Sequence, residues 1–213
     1  MSLHNLYQFI LIPLVSGILA SLIAIYFWEK WHKPRLGIEI LPKTPENLSV
    51  ANPDYKNMAF YRLKVINQGK RAAFNCKINL EFQDNNRNKK FDPIKAKWDR
   101  TPEPIIYFPS PDKPVPITQP SIINSTELLN INPYSSEELF CVLVKEDGHE
   151  ECYAFGPLSY FDTDRLKKQE WELSKGEYYL KVTINYSDGK LMEDFYIKNH
   201  DTQKDSIEIK KCC

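Results

Sequence analysis

Glycine is scarce in this chain, seven residues of 213, and the scarcity removes a large group of functions. Phosphate-cradling loops and dinucleotide fingerprints need closely spaced glycines so that backbone amides can approach the ligand; no such stretch is present, and no G-x-S-x-G elbow presents a serine nucleophile. The five cysteines are odd in number and form no C-x-x-C pair, which argues against a disulfide framework and a zinc knuckle. The four histidines, His4, His32, His149 and His200, are scattered, without an H-E-x-x-H or a carboxylate at ligand spacing. Net charge is missing too: 28 basic residues balance 28 acidic ones, leaving no global field to attract nucleic acid. With no nucleophile, base and orienter to assemble, the expectation is a protein without catalytic activity, cofactor, metal or nucleic-acid partner.

One absence is local. No Asp, Glu, Lys or Arg precedes Glu29, and the run from Leu6 to Trp28 is uncharged and mostly apolar. As an α-helix its 23 residues extend about 34 Å, enough for a bilayer core. A signal peptide would need a basic start, a shorter apolar core and small residues at a cleavage site; residues 1–5 carry no Lys or Arg and the run ends in IAIYFW. The chain therefore divides into a flank (1–5), a retained transmembrane helix (6–28), a juxtamembrane segment (29–34) and a soluble domain (35–211).

Lys30, Lys33 and Arg35 follow the span, while only the α-amine charges the other side. The positive-inside rule then places the soluble domain in the cytoplasm, and Tyr26, Trp28 and Trp31 suit the headgroup layer of the lipid bilayer. Three cations fall short of the four to eight that mark lipid recognition, so a generic stop-transfer flank is expected. Within the span, Ser16, Ala20 and Ala24 recur every four residues with Gly17 and Ser21 alongside, a face that lets a second helix approach and allows self-association. Pro13 lies one turn earlier, where it can kink the helix. A single span without ionisable groups offers no substrate path.

Beyond Pro34 the pattern alternates with period two. Phe74, Cys76, Ile78, Leu80 and Phe82 share one face of a predicted strand, preceded by Tyr61 to Asn67 and a Gln68-Gly69-Lys70 turn. Asp147-Gly148 and Asp188-Gly189 each predict a two-residue hairpin turn. The first would set Val144 against Glu151, Val142 against Tyr153 and Lys145 against Glu150, with Cys141 and Cys152 diagonal on one face, too far apart to bridge. The second would set Leu180, Val182, Ile184 and Tyr186 against Ile197, Phe195, Glu193 and Leu191. Short strands are expected at Leu36–Leu41, Ile94–Trp98 and Ile207–Ile209, and a helical turn from Asp162 or Thr163 towards Gly176, with Asp162 and Asp164 as caps. Seven to nine strands fit an all-β sandwich.

The stretch YRLKVINQGKRAAFNCKINLEF resembles the strand, Asn-x-Gly turn, Ala, strand pattern of immunoglobulin-like modules common in prokaryotic surface and membrane proteins, carried by Asn67, Gly69 and Ala72 or Ala73. LSKGEYYLKVTINYSDG is similar to their penultimate strand, which implies the corner-tyrosine role for Tyr178 and puts Leu180 where antibody domains have Cys. The resemblance implies an immunoglobulin-like β-sandwich and no activity. Cys212-Cys213 resembles the prenylated end of small vesicular GTPases, whose other motifs are missing; a frayed tail is the expectation.

Two segments remain. Asp84, Asn86, Asn88 and Asp92 have the spacing of a calcium loop, but Lys89 stands where glycine is required and Lys95 where a glutamate should close the cage, so a polar loop is expected. Residues 102–120 hold seven of fifteen prolines and spell P-x-x-P at Pro111–Pro114. This stretch cannot be a central strand or helix and is expected to be a long crossover loop folding its apolar residues back onto the sandwich; read as a partner-docking loop instead, it offers Tyr107 and Phe108 as the candidate anchors for a protein partner. The sequons at Asn47, Asn124 and Asn185 matter only for an outward-facing eukaryotic domain. The reading is a membrane-tethered cytosolic binding or assembly module; the alternatives are an oligomerising membrane effector or pore-forming subunit, and an outward-facing surface or adhesion module.

Overall fold

The computed structural model describes residues 12–41, 57–100, 105–108, 115–118, 128–134, 138–161 and 166–212. It consists of one N-terminal helix and a mostly β domain built from two antiparallel sheets. Helix α1 covers Ile12–Trp31, so the helix continues three residues beyond the expected end of the span before His32 and Pro34 stop it. Proline disfavours helical backbone at the residue before it.

The first sheet has the order β1 (Leu36–Ile40), β2 (Met58–Asn67), β8 (Glu138–Glu146), β9 (Cys152–Ala154), β10 (Glu172–Leu173). The second runs β13 (Ile207–Lys211), β12 (Gly189–Asn199), β11 (Gly176–Tyr186), β3 (Ala73–Gln83), β4 (Ile94–Lys95), with β7 (Leu129–Ile131) also on β3. The inward faces of both sheets merge into one core: Leu63, Val65, Phe140 and Leu143 from the first meet Ile78, Leu80, Phe82, Leu180, Val182 and Ile197 from the second. Each such side chain contributes about 1.5–3 kcal/mol by leaving water. Trp98 closes one side of the sandwich: it is fully buried, bridges to Phe140 of the first sheet, and its indole N–H donates to the Cys76 carbonyl of the second at 3.3 Å.

Several sequence-based expectations shift. Phe74 is exposed rather than inward, because a bulge between Ala73 and Cys76, with Asn75 at φ 55°, hands the inward position to Ala73. A second bulge on β8, opposite Tyr61 and Arg62, puts Val142 and Val144 on opposite faces. Val142 lies in the main core, while Val144 and Cys141 join Met58, Tyr153, Phe155 and Leu166 in a second cluster. Cys141 and Cys152 are therefore in separate clusters and do not share a face. The near-continuous burial of β8 follows from apolar packing on both sides.

Both hairpin registers differ by two residues from those expected. Lys145 faces Cys152 and Val144 faces Tyr153; a type I′ turn needs φ > 0 at both central residues, and only Gly148, at φ 84°, has it. The loop tip is instead held from outside, with the Asp147 amide on the Asn57 carbonyl and the Gly148 amide on that of Thr202, both 2.9 Å. In the second hairpin Tyr186 pairs with Gly189, so Ser187-Asp188 form the turn and Glu193 meets Val182. A two-residue slip preserves the face, and the inward set is retained, Glu193 pairing with Lys211 at 2.8 Å.

In the described part of the expected helical stretch, 166–176, there is a 3₁₀ turn at Gln169–Trp171, and another precedes the stretch at Pro157–Phe161; its expected start, with Asp162 and Asp164, lies outside the described residues. The proline-rich segment contains a separate two-stranded hairpin, β5 (Ile105–Phe108) with β6 (Val115–Thr118), joined to neither sheet. Among the described residues the count is thirteen strands, above the seven to nine expected, because of these short elements.

Candidate functional site

No side chain from Pro13 to Trp31 is covered by the rest of the chain; Leu14, Leu19 and Trp28 are each about 60% exposed or more. A helix apolar on every side requires an apolar surrounding, and this one is long and apolar enough to cross a membrane by length and composition. Its small-residue face is open. Nothing lies within 4 Å of a Cβ placed on Gly17, and the Ser16 and Ser21 hydroxyls donate to carbonyls of their own helix, Pro13 at 3.0 Å and Gly17 at 2.8 Å. The structure brings Ser16, Gly17, Ala20, Ser21 and Ala24 to no other element. At the C-terminal end His32 stacks on Trp28, with ring centroids 3.8 Å apart, and its Nδ1 donates to the Trp28 carbonyl at 2.7 Å. Lys30 Nζ sits 6.0 Å from the Tyr26 ring, where a cation also favours the helix C-terminus.

Only four residues separate the helix from β1, and the junction between them is organised by one buried amide. The Asn67 side chain, 6% exposed, accepts from the Arg35 amide (3.1 Å) and the Gly69 amide (3.0 Å) through Oδ1, and donates through Nδ2 to the carbonyls of Arg71 (2.8 Å) and Ile131 (3.0 Å). Its backbone carbonyl accepts from the Tyr134 amide at 3.2 Å, and the Gln68 amide donates to the Arg35 carbonyl at 2.9 Å. The helix exit, the β2–β3 turn and the end of β7 are thereby tied together. Glycine is required at position 69: a Cβ there would lie 2.5 Å from both the Lys33 carbonyl oxygen and the Arg35 nitrogen.

This junction assembles what the linear sequence separates. Lys30, Lys33 and Arg35 are exposed at the helix exit, and Lys70 and Arg71 are exposed on the turn packed against it. Tyr134, 79% exposed with φ 52°, and Phe74, 45% exposed, present rings at the same end. Among the described residues, the exposed acidic side chains at this end are Glu29 on the helix and Asp188 in the β11–β12 turn, whose neighbour Ser187 donates its amide to the Phe74 carbonyl, while the buried Glu138 is paired with Arg100. Lys70, Arg71, Phe74 and Tyr134 carry no local signal in the sequence; only the long-range pairing of the Asn67 side chain brings them to the helix. Such a group of cations and rings can attract anions and occupy an interface.

Other polar groups among the described residues bond within their own part of the fold. Lys145 is fully buried and donates to Asn199 Oδ1, the Asp201 carbonyl and, at 3.4 Å, the Glu150 carbonyl; desolvation holds its ammonium below the usual lysine range. Burial pushes the Cys76 thiol up to about 11 and Cys152 up to about 12, so neither is a thiolate nucleophile near neutral pH. In the calcium-like loop, the Asp84 carboxylate accepts from the Asn86 and Asn88 amides, both at 2.8 Å, and the Asn88 amide bond foremost holds it below the usual carboxylate range. Among the described residues no group of three or more His, Cys, Asp or Glu is placed to hold a metal. Tyr107 and Phe108 lie on β5 of the separate hairpin, with Tyr107 paired to Pro116. No protein-family model, no curated protein and no solved structure matches this chain.

Proposed function

We propose that the chain is a single-pass membrane protein whose β-sandwich, held on the cytoplasmic side directly against the bilayer, works as a non-enzymatic binding or assembly module. The observation that carries this reading is the helix exposed on its whole circumference and coupled through Asn67 and Gly69 to the sandwich with almost no free linker. Such a coupling fixes the height of the domain over the surface, which suits an element that meets its partner there. An immunoglobulin-like identity for the module is supported by Tyr178, which sits near the start of β11 and donates its hydroxyl to the Ser174 carbonyl at 2.9 Å in the manner of a corner tyrosine. Tyr107 and Phe108 are its proposed partner anchors.

Two measurements on cells test this. The chain should resist alkaline extraction from membranes, and an impermeant maleimide should reach Cys212 or Cys213 only after lysis. Extraction by alkali would refute the tether, and labelling of intact cells would make it an outward-facing adhesion module. The open face at Gly17 favours one second reading, an oligomerising membrane effector. Under that reading Gly17→Leu/Ala20→Leu abolishes cross-linked oligomers and toxicity on overexpression, whereas the tether is indifferent to both.

A further inference from the structure

The three cations at the helix exit are too few for lipid recognition on their own, yet the fold supplies two more. Lys70 and Arg71 are bound to the helix exit through the Asn67 amide and the Gly69 contact, and all five basic side chains are exposed. We propose that this end of the sandwich is a binding site for anionic lipid headgroups, with Lys30, Lys33, Arg35, Lys70 and Arg71 forming a cationic collar around the point where the helix leaves the membrane. The proposal rests on the tethered reading above.

The geometry places the collar at the right depth. From Pro13 to Trp31 the helix is 19 residues, about 28 Å, close to the ~30 Å hydrocarbon core, and the headgroup layer adds roughly 5–7 Å on each side. Lys33, two residues past the helix, touches Gly69 through its carbonyl, so Lys70 and Arg71 stand within or immediately over that layer. Tyr134 and Phe74 are at the same level, where aromatic rings favour the interface. Among the described exposed residues, five cations against Glu29 and Asp188 leave a positive surplus at this end of a chain whose total charge is zero. Each cation near an anionic surface adds attraction that salt screens. The occupant is a headgroup because the site surrounds the helix itself, where lipid is always in contact.

The test is the full chain reconstituted in phosphatidylcholine vesicles with spin-labelled phosphatidylserine or phosphatidylcholine as probe, reading the ratio of motionally restricted lipid. Wild type should prefer phosphatidylserine roughly threefold or more, the preference falling with salt. Lys70→Gln/Arg71→Gln should bring the ratio most of the way to one, while Lys89→Gln/Lys175→Gln, an equal charge loss on exposed residues at the far end, should leave it unchanged. Equal preference in wild type and the Lys70/Arg71 variant would reduce the site to a generic helix flank and overturn the collar. No preference in any variant would also overturn it, and would leave these cations to an acidic protein surface. Insertion is scored separately by alkaline extraction from pure phosphatidylcholine: a chain that inserts without selectivity fails the collar alone, whereas a chain that does not insert fails the tether and the collar together.

Discussion

At the end of the sandwich nearest the helix a neutral buried amide, Asn67, gathers the loops, and at the far end a buried ammonium, Lys145, does so. Both sites satisfy the backbone groups that strand ends leave unpaired. The distinction lies in where the charge goes. The far end draws its organising cation inside and saturates it with three oxygens, with Asn199 donating in turn to the Glu150 carbonyl at 2.7 Å. The near end uses a neutral hub, and its five cations remain outside, free for a surface. A buried charge specifies a fold at a desolvation cost, whereas exposed charge contributes little to stability and is available for recognition.

The sharpest way to break this contrast is to remove each organiser. Lys145→Ala leaves the buried Asn199 Oδ1 without its donor and empties the space of the ammonium stem, and is expected to cost about 3 kcal/mol in urea unfolding of the full chain, with no change in lipid selectivity. Gly69→Ala drives a methyl into two backbone atoms and is expected to cost about 2 kcal/mol and to weaken phosphatidylserine preference as well, because the turn carrying Lys70 and Arg71 must move. Tyr178→Phe removes a single hydroxyl bond to the Ser174 carbonyl, an expected loss of about 1 kcal/mol without effect at the near end. Smallest of all, Lys70→Gln/Arg71→Gln should shift stability by no more than about 0.5 kcal/mol while removing most of the selectivity. A large drop in melting temperature for that last variant would mean that these side chains hold the fold rather than bind.

Local pattern made much of the fold legible. Period-two alternation marked β2, β3, β11, β12 and β13, and the uncharged run marked α1, since both depend on neighbours in sequence. What escaped depends on distant contacts. Phe74 left the core because of a bulge at Ala73–Cys76. The Asp147-Gly148 register slipped because amides at its tip are captured by Asn57 and Thr202. The site was half legible: Tyr26, Trp28, Lys30, Trp31, Lys33 and Arg35 follow from the end of the apolar run, whereas Lys70 and Arg71 reach it only through the Asn67 side chain. The Asn-x-Gly turn was visible as a turn; that its asparagine would hold the helix exit was not.

The central claim, that the Asn67 end of the sandwich rests on the bilayer, is tested most directly by depth. In a Cys212→Ser/Cys213→Ser background, Tyr134→Cys and Lys204→Cys place a fluorophore at opposite ends of the domain, about 35 Å apart along an eleven-residue strand. In vesicles carrying a headgroup-attached quencher, strong quenching at 134 and none at 204 is expected. Equal quenching, or quenching at 204 alone, would contradict the account.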